Sequence, residues 1–211
     1  MQTLAPWTEA VRSASGEAVR VVRAETPALR DQVYALRYQA YRRVDAIAEN
    51  PTRRFSDAYD RQPNILPYLL LDGDRPLGSI RAGVYRPGEP YGLPAFETYG
   101  EEIAAQIGMD KRIVESSRFV FADEAFDVTL DMQYHLYRMI AANALVHDAD
   151  WVITAMRRRH VPIYRRLFGA QRLSDPKPYY GLRDEMVLCG GPFSSFADAC
   201  SRDARFMIGL D

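Results

Sequence analysis

Glu115-Ser-Ser-Arg118-Phe119 sets a carboxylate and a guanidinium inside the apolar run from Arg112 to Ala122, where a central strand would normally carry Val or Thr. Buried charge is costly unless it is paired or used. The pattern recurs upstream. Arg37 lies in a helical segment, Asp57 and Asp60 in a long polar connection, and Arg81 between Ile80 and Ala82 of a strand. Ionisable groups on several separate elements are what a polar active site looks like in one sequence. A carboxylate in a partly desolvated site has a raised pKa and suits acid–base work. Guanidinium binds carboxylates through two parallel hydrogen bonds. Arg37, Arg81 and Arg118 therefore either hold a substrate carboxylate or clamp Asp57 and Asp60. Of the three, Arg37 best tolerates solvent, on a helix flank, and Arg81 least. Side chains 115 and 118 lie on opposite faces of a regular strand. Without a bulge they do not pair with each other, and Arg81, Asp57 and Asp60 are the available partners.

A second cluster has a different character. Met156 to Arg166 holds five arginines in eleven residues, namely Arg157, Arg158, Arg159, Arg165 and Arg166, extended by Arg172, in a chain whose net charge is −1. The plain reading is a solvated face. The functional one is a docking patch for an acidic partner. Nucleic acid is disfavoured, because no groove-reading motif or interleaved aromatic platform accompanies the arginines. Cys189 and Cys200 are too few and too isolated for a metal site or a nucleophile, and read as buried, reduced thiols. The three histidines are scattered, so no metal centre is predicted. No apolar run reaches the length of a membrane span and no signal peptide is evident, so a cytoplasmic protein is expected.

The elements that must position these groups follow from periodicity. With 211 residues, 47% hydrophobic and 26% charged, one domain over 1–211 is expected, with a helical arm at 1–15. A strand is predicted over Ala18–Arg23, then a helix from the Thr26-Pro27 start to Val44, burying Leu29, Val33, Leu36, Ala40 and Val44. Residues 46–63 form the polar connection. Strands at Leu66–Leu71 and Pro76–Tyr85 flank an Asp72-Gly73-Asp74 turn. A short helix within Phe96–Ile107, a strand at Ile113–Ala122 and a helix at Leu130–Val146 come next. A strand at Trp151–Met156, a helix at Pro162–Phe168, and short strands at Ala170–Leu173 and Met186–Cys189 complete the order. It predicts an α/β fold with a mixed sheet and helices on both faces.

That order resembles the GNAT acyltransferase fold, whose sheet is mostly antiparallel. Leu36-Arg37-Tyr38-x-x-Tyr41, Phe55-x-Asp57-x-Tyr59-Asp60, Gly78-Ser-Ile-Arg81 and Glu115-Ser-Ser-Arg118-Phe119 resemble its autoinducer-synthase branch of acyl-homoserine-lactone synthases and N-acyl amino acid synthases. The Phe-x-Asp-x-Tyr-Asp form is closer to the N-acyl amino acid synthases. Acetyltransferases of this fold wrap coenzyme A with a glycine-rich loop after the fourth strand, but Phe121 to Leu130 has no glycine. The resemblance implies transfer of a fatty acyl group from an acyl carrier protein thioester, rather than acyl-CoA, to the amine of an amino acid, with no permanently bound cofactor; an acyl-homoserine-lactone synthase and a catalytically silent acyl-thioester-binding domain are the alternatives. It implies that Glu115 deprotonates the amine, and that Arg37, Tyr41, Asp57, Asp60, Arg81, Ser117 and Arg118 shape the acceptor pocket and its lid. Under it, the arginines from Arg157 to Arg172 face the carrier protein. Phe55, Tyr59 and Phe96 are candidates for the pocket lining.

Overall fold

The computed structural model describes residues 19–122 and 130–203. The expected arm at 1–15 and most of the glycine-free stretch after Phe121 lie outside them. Strand β1 (Val19–Arg23) leads into helix α1 (Pro27–Arg43). Thr26 starts α1 by accepting the Leu29 amide at 3.2 Å on its hydroxyl, with Pro27 at the first helical position; such a cap stabilises a helix by about 1 kcal/mol. β2 (Ile65–Asp72) and β3 (Arg75–Tyr85) form a hairpin whose turn needs the positive φ of Gly73. Helix α2 (Pro94–Gln106), strand β4 (Ile113–Phe121), helix α3 (Leu130–Val146) and strand β5 (Trp151–Met156) follow. Helix α4 (Val161–Phe168) ends at Gly169 in the left-handed conformation, as its position predicted. β6 (Gln171–Arg172), β7 (Lys177–Pro178), β8 (Glu185–Pro192) and helix α5 (Phe193–Ser201) complete the described chain.

The sheet runs β1-β2-β3-β4-β5-β8-β6, with β7 paired to β8. Every pairing is antiparallel except β4 with β5. Helices cover both faces. Val33, Leu36 and Ala40 of α1 pack on Leu69, Leu71 and Val120, while Tyr99 and Ile103 of α2 pack on Ile113 and Ile153 of the same face. Met132, Leu136 and Ile140 of α3 pack on Ile80, Ala82 and Val114 of the other. Among the described residues no helix is long and apolar enough to cross a membrane.

Several expectations need correction. Val44 is 49% exposed rather than in the core, because α1 ends one residue earlier. β8 extends past the expected Met186–Cys189 through Gly190, Gly191 and Pro192, and the strand expected at 170–173 shrinks to two residues. β7 and α5 were not predicted; α5 has no side-chain cap and starts directly from the last residue of β8.

β4 contains a register shift that matters for the site. Arg81 lies opposite Ser117 and Ser79 opposite Val120, so β4 spends an extra residue there. Arg118 absorbs it at φ 55°, a left-handed conformation that non-glycine residues seldom adopt. Ile113 faces the α1/α2 layer before the bulge and Val120 does so after it, while Phe119 stacks on Tyr137 of α3. The bulge thus turns Arg118 to the side of the sheet that Glu115 already faces.

Candidate active site

Residues 46–63 cross the α1/α2 face and end in a single 3-10 turn, Ala58–Arg61. Asp57 caps that turn by accepting the Asp60 amide, and the Asp60 carboxylate accepts the Asp57 amide in return. This reciprocal cap leaves both carboxylates aimed at the sheet. Arg37 Nη1 donates to both oxygens of Asp60 at 2.9 Å. Arg81 Nη1 reaches both oxygens of Asp57 at 2.8 Å and Asp60 Oδ1 at 3.1 Å. Arg118 Nη2 donates to Asp57 at 2.8 Å, and Arg81 Nε to the Ser117 hydroxyl at 3.0 Å. All five charged side chains are nearly fully buried.

All three arginines therefore clamp the aspartates, as the clamping alternative expected. Arg37 corrects the expectation that it stands closest to solvent: it is 0% exposed, because residues 46–63 fold over its side of α1. Burial and the like charges of Arg81 and Arg118 pull its pKa down against the pull of Asp60. Burial acts to raise the Asp60 carboxyl, but Arg37 and Arg81 outweigh it and hold the group at about 2. Burial also opposes ionisation of Asp57, where Arg81 and Arg118 again prevail and lower its pKa.

Glu115 is 0% exposed and makes no ion pair with the arginines. Its partners are not the ones expected. Oε2 accepts the Ala95 amide at 3.0 Å and Oε1 the Tyr179 hydroxyl at 3.4 Å. Gly83, directly opposite in β3, makes room here, since a Cβ would come within 2.8 Å of Leu93. Burial raises the Glu115 pKa; the fields of Arg81 and Arg118 and the Ala95 amide temper the rise.

Beside this lattice the sheet opens. The parallel β4–β5 ladder runs only from Ile113↔Trp151 to Ser116↔Thr154, two residues short of the bulge. Bulges bend the strand that carries them. The opening is a cleft of about 330 Å³ that passes through the sheet. Tyr41, Ser117, Arg118 and Tyr179 line it on the α1/α2 side, Phe119 and Tyr164 on the α3 side, and Arg43, Arg157 and His160 also reach it. The Arg118 guanidinium lies 4.8 Å from the Phe55 ring centre and 5.9 Å from that of Tyr41, a favourable cation–π placement. A smaller apolar pocket of about 30 Å³ shares Ser116, Thr154 and Tyr164 with the cleft and continues toward Phe168 and Phe196.

Of the residues singled out by sequence, Tyr41, Ser117 and Arg118 border the cleft, while Arg37, Asp57, Asp60, Arg81 and Glu115 stand behind its wall. Phe55 backs Arg118, Tyr59 hydrogen-bonds Glu97, and Phe96 packs on Tyr85, so none of them lines the cleft. Tyr164, Tyr179 and His160 do, and no local sequence signal marked them. The arginine cluster divides. Arg157 pairs with Asp184 and Arg172 with Asp175, whereas Arg158, Arg159, Arg165 and Arg166 are exposed with no acidic partner among the described residues. Cys189 and Cys200 are free and buried, and burial pushes the Cys189 thiol up to about 11, unsuited to a nucleophile.

The family model of the N-acyl amino acid synthase FeeM matches residues 32–191. No curated protein matches the chain in sequence. Among solved structures, FeeM, an N-acyl amino acid synthase from uncultured soil microbes, superposes with a TM-score of 0.72 at 17% identity, over 86% of this chain and 94% of its own. The coenzyme A-dependent acyl-homoserine lactone synthase BjaI, solved with SAM and isopentyl-CoA, gives 0.59 at 18% identity, over 86% and 87%. An N-acetyltransferase described as putative, from Lactobacillus plantarum, gives 0.57 at 13% identity, over 84% and 99%. The GNAT-like fold and the synthase branch expected from the sequence are both borne out.

Proposed function

Because the chain belongs to the family of the N-acyl amino acid synthase FeeM and is an N-acyltransferase, we propose that it moves a fatty acyl group from a thioester to the α-amine of an amino acid. The observation that carries this reading is that one strand sets Arg118 on the cleft wall and a buried carboxylate, Glu115, behind that wall. Arg118 gives one guanidinium nitrogen to Asp57 and borders the cleft, where in this reading its charge meets the acceptor's carboxylate. Glu115, with its pKa raised by burial, takes the proton that the ammonium must lose. The amine then attacks the thioester carbonyl directly, and the thiolate leaves. The donor lies where β4 parts from β5, its thioester in the cleft and its acyl tail directed toward Phe168 and Phe196, where the small pocket has to widen to take the chain. Acyl carrier protein is the proposed donor, met by Arg158, Arg159, Arg165 and Arg166, in a cytoplasmic setting. Acyl-CoA is the second reading, favoured by the likeness to BjaI.

The test is Glu115→Gln in a purified assay with an acyl thioester and amino acids. Turnover is expected to fall by ~10²–10⁴ with the fold intact, and to recover partly at high pH as free amine accumulates. Near-normal turnover at neutral pH refutes the assignment and shifts attention to His160, which lines the same cleft. Mass spectrometry of the product separates N-acyl amino acids from alkali-labile lactones. A lactone formed from S-adenosylmethionine would overturn the proposed acceptor.

A further inference from the structure

We propose that Tyr179 is a catalytic residue: its hydroxyl meets the acceptor amine in the cleft and hands the amine's proton to Glu115. The inference rests on the reading of Glu115 as the base. Glu115 is fully buried, is absent from the cleft wall, and has both oxygens engaged by protein donors. An amine in the cleft therefore needs an intermediary. Tyr179 meets both requirements, since it is one of the residues that line the cleft and its hydroxyl lies 3.4 Å from Glu115 Oε1. Hydrogen bonds of this kind are often long before substrate arrives. A phenol hydroxyl donates and accepts at once, which a relay demands.

Its position is built rather than incidental. The Tyr179 ring stacks on Tyr99, with centres 6.0 Å apart and planes at 25°, and the Tyr99 hydroxyl is anchored to the Met186 carbonyl at 2.6 Å. A turn behind it, Leu182 amide to Tyr179 carbonyl at 3.0 Å, holds the backbone. The charged and titratable groups around the phenol are Glu115, Arg118, Arg81 and Tyr99; burial and Glu115 hold its pKa well above the ordinary value, so it stays protonated as a relay must. Ser117, another hydroxyl on this wall, accepts from Arg81.

The step balances. The ammonium N–H bond breaks as its proton passes to the Tyr179 oxygen, while the Tyr179 proton passes to Glu115, leaving neutral amine, neutral phenol and protonated carboxyl. The amine lone pair forms the C–N bond, the C–S bond breaks, and the second amine proton goes to the departing thiolate. Glu115 returns its proton to solvent by the same route.

The test is Tyr179→Phe, which keeps the stacked ring, alongside Glu115→Gln and the double variant. Turnover of Tyr179→Phe is expected to fall about 10²-fold, with an unchanged melting temperature and little change in the donor KM. The double variant is expected to be no slower than Glu115→Gln alone, because both changes cut one path. The solvent deuterium isotope effect should shrink in Tyr179→Phe, where fewer protons are in flight. A slow Glu115→Gln with a normal Tyr179→Phe overturns the relay and leaves the base in place. Normal turnover in both variants overturns the base itself. Multiplied losses in the double variant also overturn the relay, by showing independent roles.

Discussion

Beneath residues 46–63, Arg37, Arg81 and Arg118 interleave with Asp57 and Asp60, almost fully buried; on α4 and the turn before it, Arg158, Arg159, Arg165 and Arg166 are exposed, with no carboxylate partner among the described residues. In the sequence the first set is scattered over three elements and the second forms one run, and residue type alone does not tell which of them is buried. The difference lies in what each charge would lose. A buried ion has surrendered its hydration and depends on its partners, so removing one partner strands another. A solvated ion depends on little, and its field is screened over about 8 Å at physiological ionic strength. One cluster is architecture; the other is free to meet something that arrives.

The comparison breaks most visibly at Arg81, which touches both aspartates and Ser117. Arg81→Ala is expected to lower unfolding free energy by about 3–5 kcal/mol in chemical denaturation. Adding Asp57→Ala should then cost less than its own single effect, because the pair fails as a unit. A loss within the range of ordinary surface changes, with simple additivity, would remove the distinction between the regions.

Acid sharpens it further. The Asp60 pKa of about 2 lies below the value of about 3.9 for an unfolded Asp. A depressed folded pKa contributes stability that is complete above the unfolded pKa and is lost as pH falls through the folded one. The lattice should therefore lose on the order of 2 kcal/mol between roughly pH 5 and pH 2, with Asp57 acting in the same direction. Glu115 works oppositely. Its raised pKa makes the folded state bind the proton better, so its contribution weakens as pH rises from the unfolded carboxyl value toward the folded one. Denaturation midpoints across pH, for wild type and Asp60→Asn, check the acid window; curves that stay parallel throughout would contradict it.

The smallest stability effect belongs to α4. Arg158→Glu/Arg165→Glu is expected to change stability by no more than about 0.5 kcal/mol, yet to raise the KM for a carrier-protein donor several-fold, more at low salt than at high. A short synthetic thioester should be turned over as before. Equal losses with both donors would mean that these arginines support the fold. No loss with either would leave a solvated face and favour acyl-CoA.

Periodicity sufficed for β1 to β5 and for α1, α3 and α4, because each carries a long apolar stripe or a cap. It failed at β8, whose Gly190-Gly191-Pro192 tail reads as loop but pairs with Trp151 to Ile153. Gly190 is required there, since a Cβ would lie 2.7 Å from the Val152 carbonyl. Glu115 and Arg81 were legible because charge in an apolar strand is conspicuous, whereas Asp57 and Asp60, in a polar connection, stood out as the partners that buried arginines would need. Arg37 was misjudged, because a helix flank looks solvated until a distant loop covers it. Tyr179 was illegible: a tyrosine in Pro178-Tyr-Tyr180 is ordinary, and its relation to Glu115 depends on a contact across 64 residues.

The extra residue in β4 has a consequence for how this chain tolerates insertion and deletion. A strand carries a reading frame of two, and each register step sends every later side chain to the other face. Arg118 is where this strand changes frame. Replacing it removes a charge and an ion pair. Deleting it would remove the extra residue and restore plain alternation, with Val120 still in the α1 layer and Phe119 and Phe121 still on the α3 side, whereas an insertion beyond the bulge would turn Val120 out and drive Phe119 and Phe121 in. Along this segment, loss and gain of a residue are therefore different events: the first removes the bulge and its charge but keeps the packing, and the second rewrites the side of the sheet on which the site is written.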